Sequence, residues 1–398
     1  MELIRKTALI MSVLFMGTTV FSLSGPQQTE KTVSASQIRE RIVQKEIEET
    51  ISDQNLKEKI GQMLMIGFRG TEVSEDSEII KIIKELNLGA VILFDYDIPS
   101  GSFPRNIVNA EQTKKLVNDM KELSASALLV AVDAEGGNVN RLKEKYGFTK
   151  LPSPEEIGYN YNTEEVENIY SNLALELSDL GISFNLAPGV DVNTNVNNPV
   201  IGSLGRSFSV NPQMVTYYAT IFIEAHLKNN LLTTLKHFPG HGSSNTDSHE
   251  GLVDLTDTYQ KEELIPFERL IEKGLVDVIM MAHVIDQNID PEYPASLSSK
   301  FINGLLRGEM NYQGVVISDD MQMGAINKNF GFEESIIKAV NAGCDMLLFS
   351  NNTYTYDEGL AKRAQEVIFE AVKNGEIEVS RVVEASDRIY KLKEKLEN

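Results

Sequence analysis

Cysteine is almost absent: Cys344 is the single one among 398 residues, so no internal disulfide can hold the fold together. Positive charge is scarce as well. Lys and Arg number 37 against 58 Asp and Glu, and the formal net charge of −21 argues against nucleic acid or an anionic membrane surface as partner. A neutral ligand is compatible with that balance, whereas an anionic polymer needs local positive charge in its cleft. Long apolar runs are confined to the N-terminus, where Arg5 and Lys6 precede the stretch 7–23. Gly17-Thr18-Thr19 breaks that stretch, and Ser22-Leu23-Ser24 puts small residues ahead of Gly25, the layout of a secretory signal. Residues 1–24 are therefore expected to direct export, with an uncleaved membrane anchor as the alternative. No cysteine lies near the cleavage point, which excludes lipid attachment there. Export without disulfides suits a bacterial cell surface, so a secreted or extracytoplasmic protein is expected, tethered at its N-terminus if at all.

No long Pro-, Gly- or Ser-rich linker interrupts the remainder. Residues 25–50 are polar and rich in Lys, Glu and Gln, and are expected to form a stem. Residues 51–398 are expected to form one domain, taken to be a monomer, and 42% apolar with 24% charged residues is ordinary for a globular chain. Short apolar, β-rich runs occur at 63–68, 90–94, 127–132, 183–187, 232–237, 278–284, 314–318 and 344–349. Segments with helical periodicity lie between them, for example 163–180, 212–229, 260–273 and 332–342. Apolar strands alternating with helices imply a parallel sheet covered by helices. An open doubly wound sheet uses the same alternation. Eight units, with no glycine-rich dinucleotide fingerprint after the first strand, favour a closed (β/α)8 barrel.

In such a barrel the loops after the strands' C-terminal ends carry the chemistry. Polar residues cluster at those positions. Asp133, Glu135 and Arg141 follow the third strand, and Asp191 and then Arg206 follow the fourth. Lys236-His237-Phe238-Pro239-Gly240-His241-Gly242 ends the fifth and leads to Asp247-Ser248-His249; His283 follows the sixth and Asp319-Asp320 the seventh. Of the five histidines only His226 sits in a predicted helix.

His237 and His241 are four apart, a metal-ligand spacing only on a helix, and Pro239-Gly240 forbids a helix there. Neither a metal nor another cofactor is expected. Lys236 and His237 read equally as buried polar groups of the barrel mouth, with a carboxylate nearby in either case. An aspartate two residues from a histidine is a weak signal alone, but a carboxylate on one ring nitrogen leaves the other free to move a proton. Asp319 and Asp320, on a strand, should face different surroundings, one toward the cleft and one as cap of the following helical turn. Asp133 and Arg141 suit sugar hydroxyls, or form an internal ion pair.

Lys236 to Gly242 followed by Asp247-Ser248-His249, with Ser318-Asp319-Asp320-Met321 after a later strand, strongly resembles family 3 glycoside hydrolases. Within them it is similar to the β-N-acetylglucosaminidase branch, which acts on peptidoglycan-type sugars. The resemblance covers roughly residues 56–349. It implies a retaining exo-β-N-acetylglucosaminidase acting on peptidoglycan- or chitin-type oligosaccharides or muropeptides through a covalent glycosyl-aspartate. It further implies Asp319 as nucleophile, His249 as acid/base oriented by Asp247, and substrate contacts at Asp133, Arg141, Arg206, Lys236 and His237. Asn138 departs from the family pattern, standing where an arginine is frequent. A sugar-binding wall protein without turnover is the other class to consider. The presence of all the implied catalytic positions argues against it, since a binder needs none of them.

Overall fold

Eight short parallel strands close on themselves in the computed structural model, which describes residues 51–124, 126–248 and 251–396. In chain order they are β1 (Leu64–Gly67), β2 (Ala90–Leu93), β3 (Leu129–Val132), β4 (Phe184–Asn185), β5 (Leu232–Phe238), β6 (Val278–Met281), β7 (Val315–Asp320) and β8 (Met346–Phe349). Each predicted run overlaps one of them, with β5 and β7 continuing past its end. Closure is made by β1 pairing β8 through Leu64–Leu347, Met65–Leu348 and Ile66–Phe349, while its other edge pairs β2. The fold is therefore the expected (β/α)8 barrel. The expected export signal and stem lie outside the described residues. No helix among the described residues is long and apolar enough to cross a membrane.

The strands bury both faces, one against the barrel interior and one against the helices, which is why they read as unbroken apolar runs rather than alternating ones. Val130, Val278, Ile279, Val316 and Leu347 are inaccessible to solvent. Helices Thr163–Asp179, Pro212–Leu227 and Phe332–Ala342 occupy the periodic segments. The first starts on a capping box, Asn162 accepting from the Glu165 amide while Glu165 reaches back to the Asn162 amide.

The predicted helix 260–273 is two elements: a 3-10 turn, Lys261–Leu264, and an α-helix, Ile265–Glu272, with Pro266 in its first turn. Proline lacks the N–H that a continuous helix needs, so the chain bends there. The sixth run also divides. Val284–Ile285 leaves the barrel to pair with Val253–Asp254. At the closed end of the barrel, buried Asp345 holds Arg307 (2.7 Å) and Arg388 (3.0 Å) and also pairs with Arg381, fastening the last helix, Val379–Glu394, to the strand layer.

Candidate active site

The C-terminal ends of the strands open onto a cavity of about 580 Å³, lined among others by Asp133, Glu135, Arg141, Arg206, Lys236 and His237, and by Asp247, Asp319 and Asp320. All but one of the site residues expected from sequence thus meet in one place. The exception is His249, which lies outside the described residues, as does Glu250.

The floor is a ladder of alternating charge. Lys236, at the end of β5, donates to Asp133 at 2.9 Å and pairs with Glu135 at 2.6 Å. Arg206 grips Glu135 with two bonds, Nε at 2.8 Å and Nη2 at 2.7 Å. Arg141 approaches Asp133 at 3.4 Å. Burial alone would raise both carboxyls. The charges of Lys236 and Arg141 more than offset this for Asp133, as those of Arg206 and Lys236 do for Glu135, and both are held below the ordinary range. Burial likewise opposes the charge on Lys236, and Asp133 and Glu135 carry it back above its usual value. The Asp133–Arg141 ion pair considered from sequence exists, and it is embedded in a network that faces the cavity.

Glu135 cannot be singled out from sequence, because two neighbouring carboxylates in one glycine-rich turn give no signal of which one is buried. In the fold it stands between two buried cations. Breaking a buried pair costs about 3–5 kcal/mol, so Glu135→Ala is expected to lose stability of that order in chemical denaturation. An unchanged unfolding midpoint would show the cluster to be held by other contacts.

His237 is oriented from both sides. Arg206 Nη2, which can only donate, lies 3.3 Å from Nε2, so Nε2 accepts and Nδ1–H donates to Asp191 Oδ2 at 2.8 Å. Asp191 also accepts the backbone amides of His237 (3.2 Å) and His241 (2.8 Å). Asp191 thus organises the turn after β5 from the loop after β4. Its position was legible in the sequence, but its partners were not.

His241 does not share a ligand with His237. Its Nδ1 meets Ser244 Oγ at 2.8 Å, and its Nε2 meets Ser248 Oγ at 3.2 Å. Ser244 spends its own proton on the His241 carbonyl, so Nδ1 donates and Nε2 accepts from Ser248. Burial, then the neighbouring His237, lowers His241 to about 4 and keeps it neutral. The imidazole therefore braces Ser248, the residue after Asp247. Among the described residues no group of three or more His, Cys, Asp and Glu side chains could hold a metal ion.

The same loop rests on Glu263, whose carboxylate accepts from the amides of Gly242 (2.8 Å) and Ser243 (3.3 Å). Burial raises Glu263 from 4.5 to about 7. A carboxyl raised by folding binds protons more tightly in the folded chain. Its contribution to stability is therefore full below about pH 4.5 and is lost as pH rises through about 7. Glu263→Gln cannot ionise. It should remove a component of the fall in melting temperature between pH 5 and pH 8 worth on the order of 2–3 kcal/mol. Identical pH slopes for both proteins would contradict this.

β7 extends further than its apolar run and includes both aspartates. Asp319 is half-buried on the cavity side and accepts from the Asp320 amide at 2.8 Å. Asp320 is buried. Its Oδ1 accepts from the amides of Ser350 and Gln322, both at 3.1 Å, and its Oδ2 accepts from Ser350 Oγ. It caps the turn that follows through the Gln322 amide but not the short helix Gly324–Asn327, which starts from Met323, and it also ties β7 to the loop after β8. Burial raises Asp320 to about 6. His283, after β6, places its Nε2 3.0 Å from the Asp320 carbonyl. Asn138, at the family's frequent arginine position, donates to the Leu204 carbonyl at 3.2 Å and links two walls of the cavity.

A barrel whose strand ends carry this set of residues matches the model of the glycosyl hydrolase family 3 N-terminal domain over residues 55–392. The chain belongs to glycoside hydrolase family 3. It is an enzyme of that family, and its relatives bear a narrower name. A β-hexosaminidase of Idiomarina loihiensis is 34% identical over 296 residues, 73% of this chain and 84% of that one. One from Pseudomonas aeruginosa is 32% identical over 302 residues, 75% and 85% of the two chains. Among solved structures, a family 3 β-N-acetylglucosaminidase from Paenibacillus sp. str. FPU-7 superposes with a TM-score of 0.77 at 34% identity. That match covers 86% of this chain and 62% of the Paenibacillus chain, so the present chain spans less than two thirds of that relative.

Proposed function

We propose that this family 3 enzyme releases terminal N-acetylglucosamine from β-linked oligosaccharides of peptidoglycan or chitin type, with retention of configuration. Asp319 attacks the anomeric carbon and forms a glycosyl ester. His249, oriented by Asp247, protonates the departing oxygen and then takes a proton from the water that cleaves the ester. Asp133, Arg141, Arg206, Lys236 and His237 bind the sugar hydroxyls. Most retaining glycosidases use two carboxylates for this chemistry, and here a histidine–aspartate pair replaces the second. An imidazole of ordinary pKa is already suited to both proton transfers near neutral pH. The enzyme acts outside the cytoplasm, delivered by residues 1–24.

The observation that carries the reading is that Asp319, at the end of β7, and Asp247, in the loop after β5, line one cavity whose floor is the Asp133–Lys236–Glu135–Arg206 ladder. A cluster of fixed cations and carboxylates matches hydroxyls, which donate and accept. Product analysis tests it: incubation with di-N-acetylchitobiose and with muropeptides, with and without phosphate, should liberate free N-acetylglucosamine as the β-anomer. Tight binding without release would make the protein a sugar receptor. Appearance of the 1-phosphate would make it a phosphorylase.

A further inference from the structure

Part of the cavity wall lies outside the charged ladder. Tyr96 and Ile98, in the loop after β2, and Tyr354, in the loop after β8, line the same cavity as Asp319 yet stay 44%, 59% and 63% exposed. Single exposed apolar residues on a surface mean little. These three are carried by loops that are bolted together. Asn352 accepts the Ile98 amide on its Oδ1 and donates its Nδ2 to the Tyr96 carbonyl, both at 3.0 Å. Buried Arg105 donates to Asn352 Oδ1 at 3.1 Å, to Asp97 at 3.0 Å and to the Asn351 carbonyl at 2.9 Å. Asp97 in turn takes two bonds from Arg69, at 2.6 and 2.9 Å. The Ser350 hydroxyl joins this frame to Asp320, since it accepts the Asn352 amide and donates to the Asp320 carboxylate. The rim is thus braced against the end of the strand that carries Asp319. Loops held in place before the ligand arrives leave less backbone ordering to be supplied on binding.

The charges along the wall point to the kind of ligand. Among the described residues each Lys and Arg lining the cavity is already met by a carboxylate: Arg141 by Asp133, Lys143 by Asp95, Arg206 by Glu135, and Lys236 by Asp133 and Glu135. Among the described residues the lining comprises six acids (Asp95, Asp133, Glu135, Asp247, Asp319, Asp320) and four bases, a formal charge of −2 with histidine neutral. The chain as a whole carries −21. An anionic leaving group would enter against both fields.

We propose that Tyr96, Ile98 and Tyr354 form the seat of the leaving group and select a neutral N-acetylhexosamine, its apolar ring face against the tyrosines, over a muramyl or peptide-bearing residue. This assignment rests on the hydrolytic reading above and narrows its substrate to chitin-type oligosaccharides. Three substrates separate the two claims: di-N-acetylchitobiose, N-acetylglucosamine β-linked to N-acetylmuramic acid, and N-acetylglucosaminyl fluoride, whose leaving atom cannot reach the rim.

At low salt, kcat/KM should favour the neutral disaccharide over the muramyl one by about ten-fold or more, and added salt should narrow the gap by screening. In the Tyr96→Ala/Tyr354→Ala double variant the ratio of kcat/KM for chitobiose to that for the fluoride should fall about ten-fold. Tyr96→Phe/Tyr354→Phe, which keeps both ring faces, should retain the wild-type ratio. Preference for the muramyl substrate at low salt, or an alanine double variant with its ratio unchanged, overturns the selection while leaving the glycosidase reading intact. Failure to hydrolyse even the fluoride overturns both.

Discussion

Asp319→Asn is expected to abolish turnover, by at least about 10⁴-fold in kcat, while unfolding at the temperature of the parent protein. The amide cannot form the proposed glycosyl ester, and its shape preserves the bond that Asp319 accepts from the Asp320 amide. The neighbouring Asp320→Asn should behave differently. Asp320 is buried and takes three bonds that join β7 to the Ser350 and Gln322 segments, so its loss should appear first as lowered stability, with activity down on the order of ten-fold. The two variants thus separate chemistry from architecture on adjacent residues. If Asp320→Asn were the dead enzyme and Asp319→Asn the active one, the nucleophile would be Asp320.

Removal of the proposed proton-transfer pair, His249 and Asp247, should produce a loss whose size depends on the leaving group. With a sugar as leaving group, His249→Ala is expected to lose about 10²–10⁴ in rate, the usual contribution of general acid–base catalysis. An aryl leaving group of low pKa needs little protonation, so formation of the glycosyl ester should survive. Its breakdown would still lack a base, and the reaction should show a burst followed by slow turnover. Asp247→Asn should give the same pattern more mildly, because in the proposed arrangement the imidazole remains and only its orienting partner is changed. Added azide, which needs no base, should partly rescue His249→Ala and yield the glycosyl azide. Equal losses for good and poor leaving groups, without burst or rescue, would reduce His249 to a binding role.

Much of the framework was determined by the sequence alone. Each strand buries both faces, so β2, β3, β6, β7 and β8 appear as apolar runs whose identity depends on a few adjacent residues. Because the chemistry of a barrel sits where strands end, the same runs placed Asp133, Lys236, His237 and Asp319 at the mouth. The Lys236–Gly242 and Asp247–His249 motifs named the family for the same local reason: short-range identity survives in a linear string.

What the tertiary structure decided was pairing. Lys236 and Asp133 are 103 residues apart, and Arg206 and Glu135 are 71 apart. No local pattern says that Glu135, rather than a solvent-facing neighbour, stands between the two cations. Arg206 comes from a segment without periodicity, and Asp191 organises His237 and His241 from another loop altogether. A cap of the following turn is a local matter, and Asp320 does accept the Gln322 amide there; its bonds to Ser350, 30 residues on, exist only because the barrel closes. Local propensity depends on neighbours along the chain, whereas the charge state and orientation of a buried side chain depend on what closure of the barrel removes from water and sets beside it.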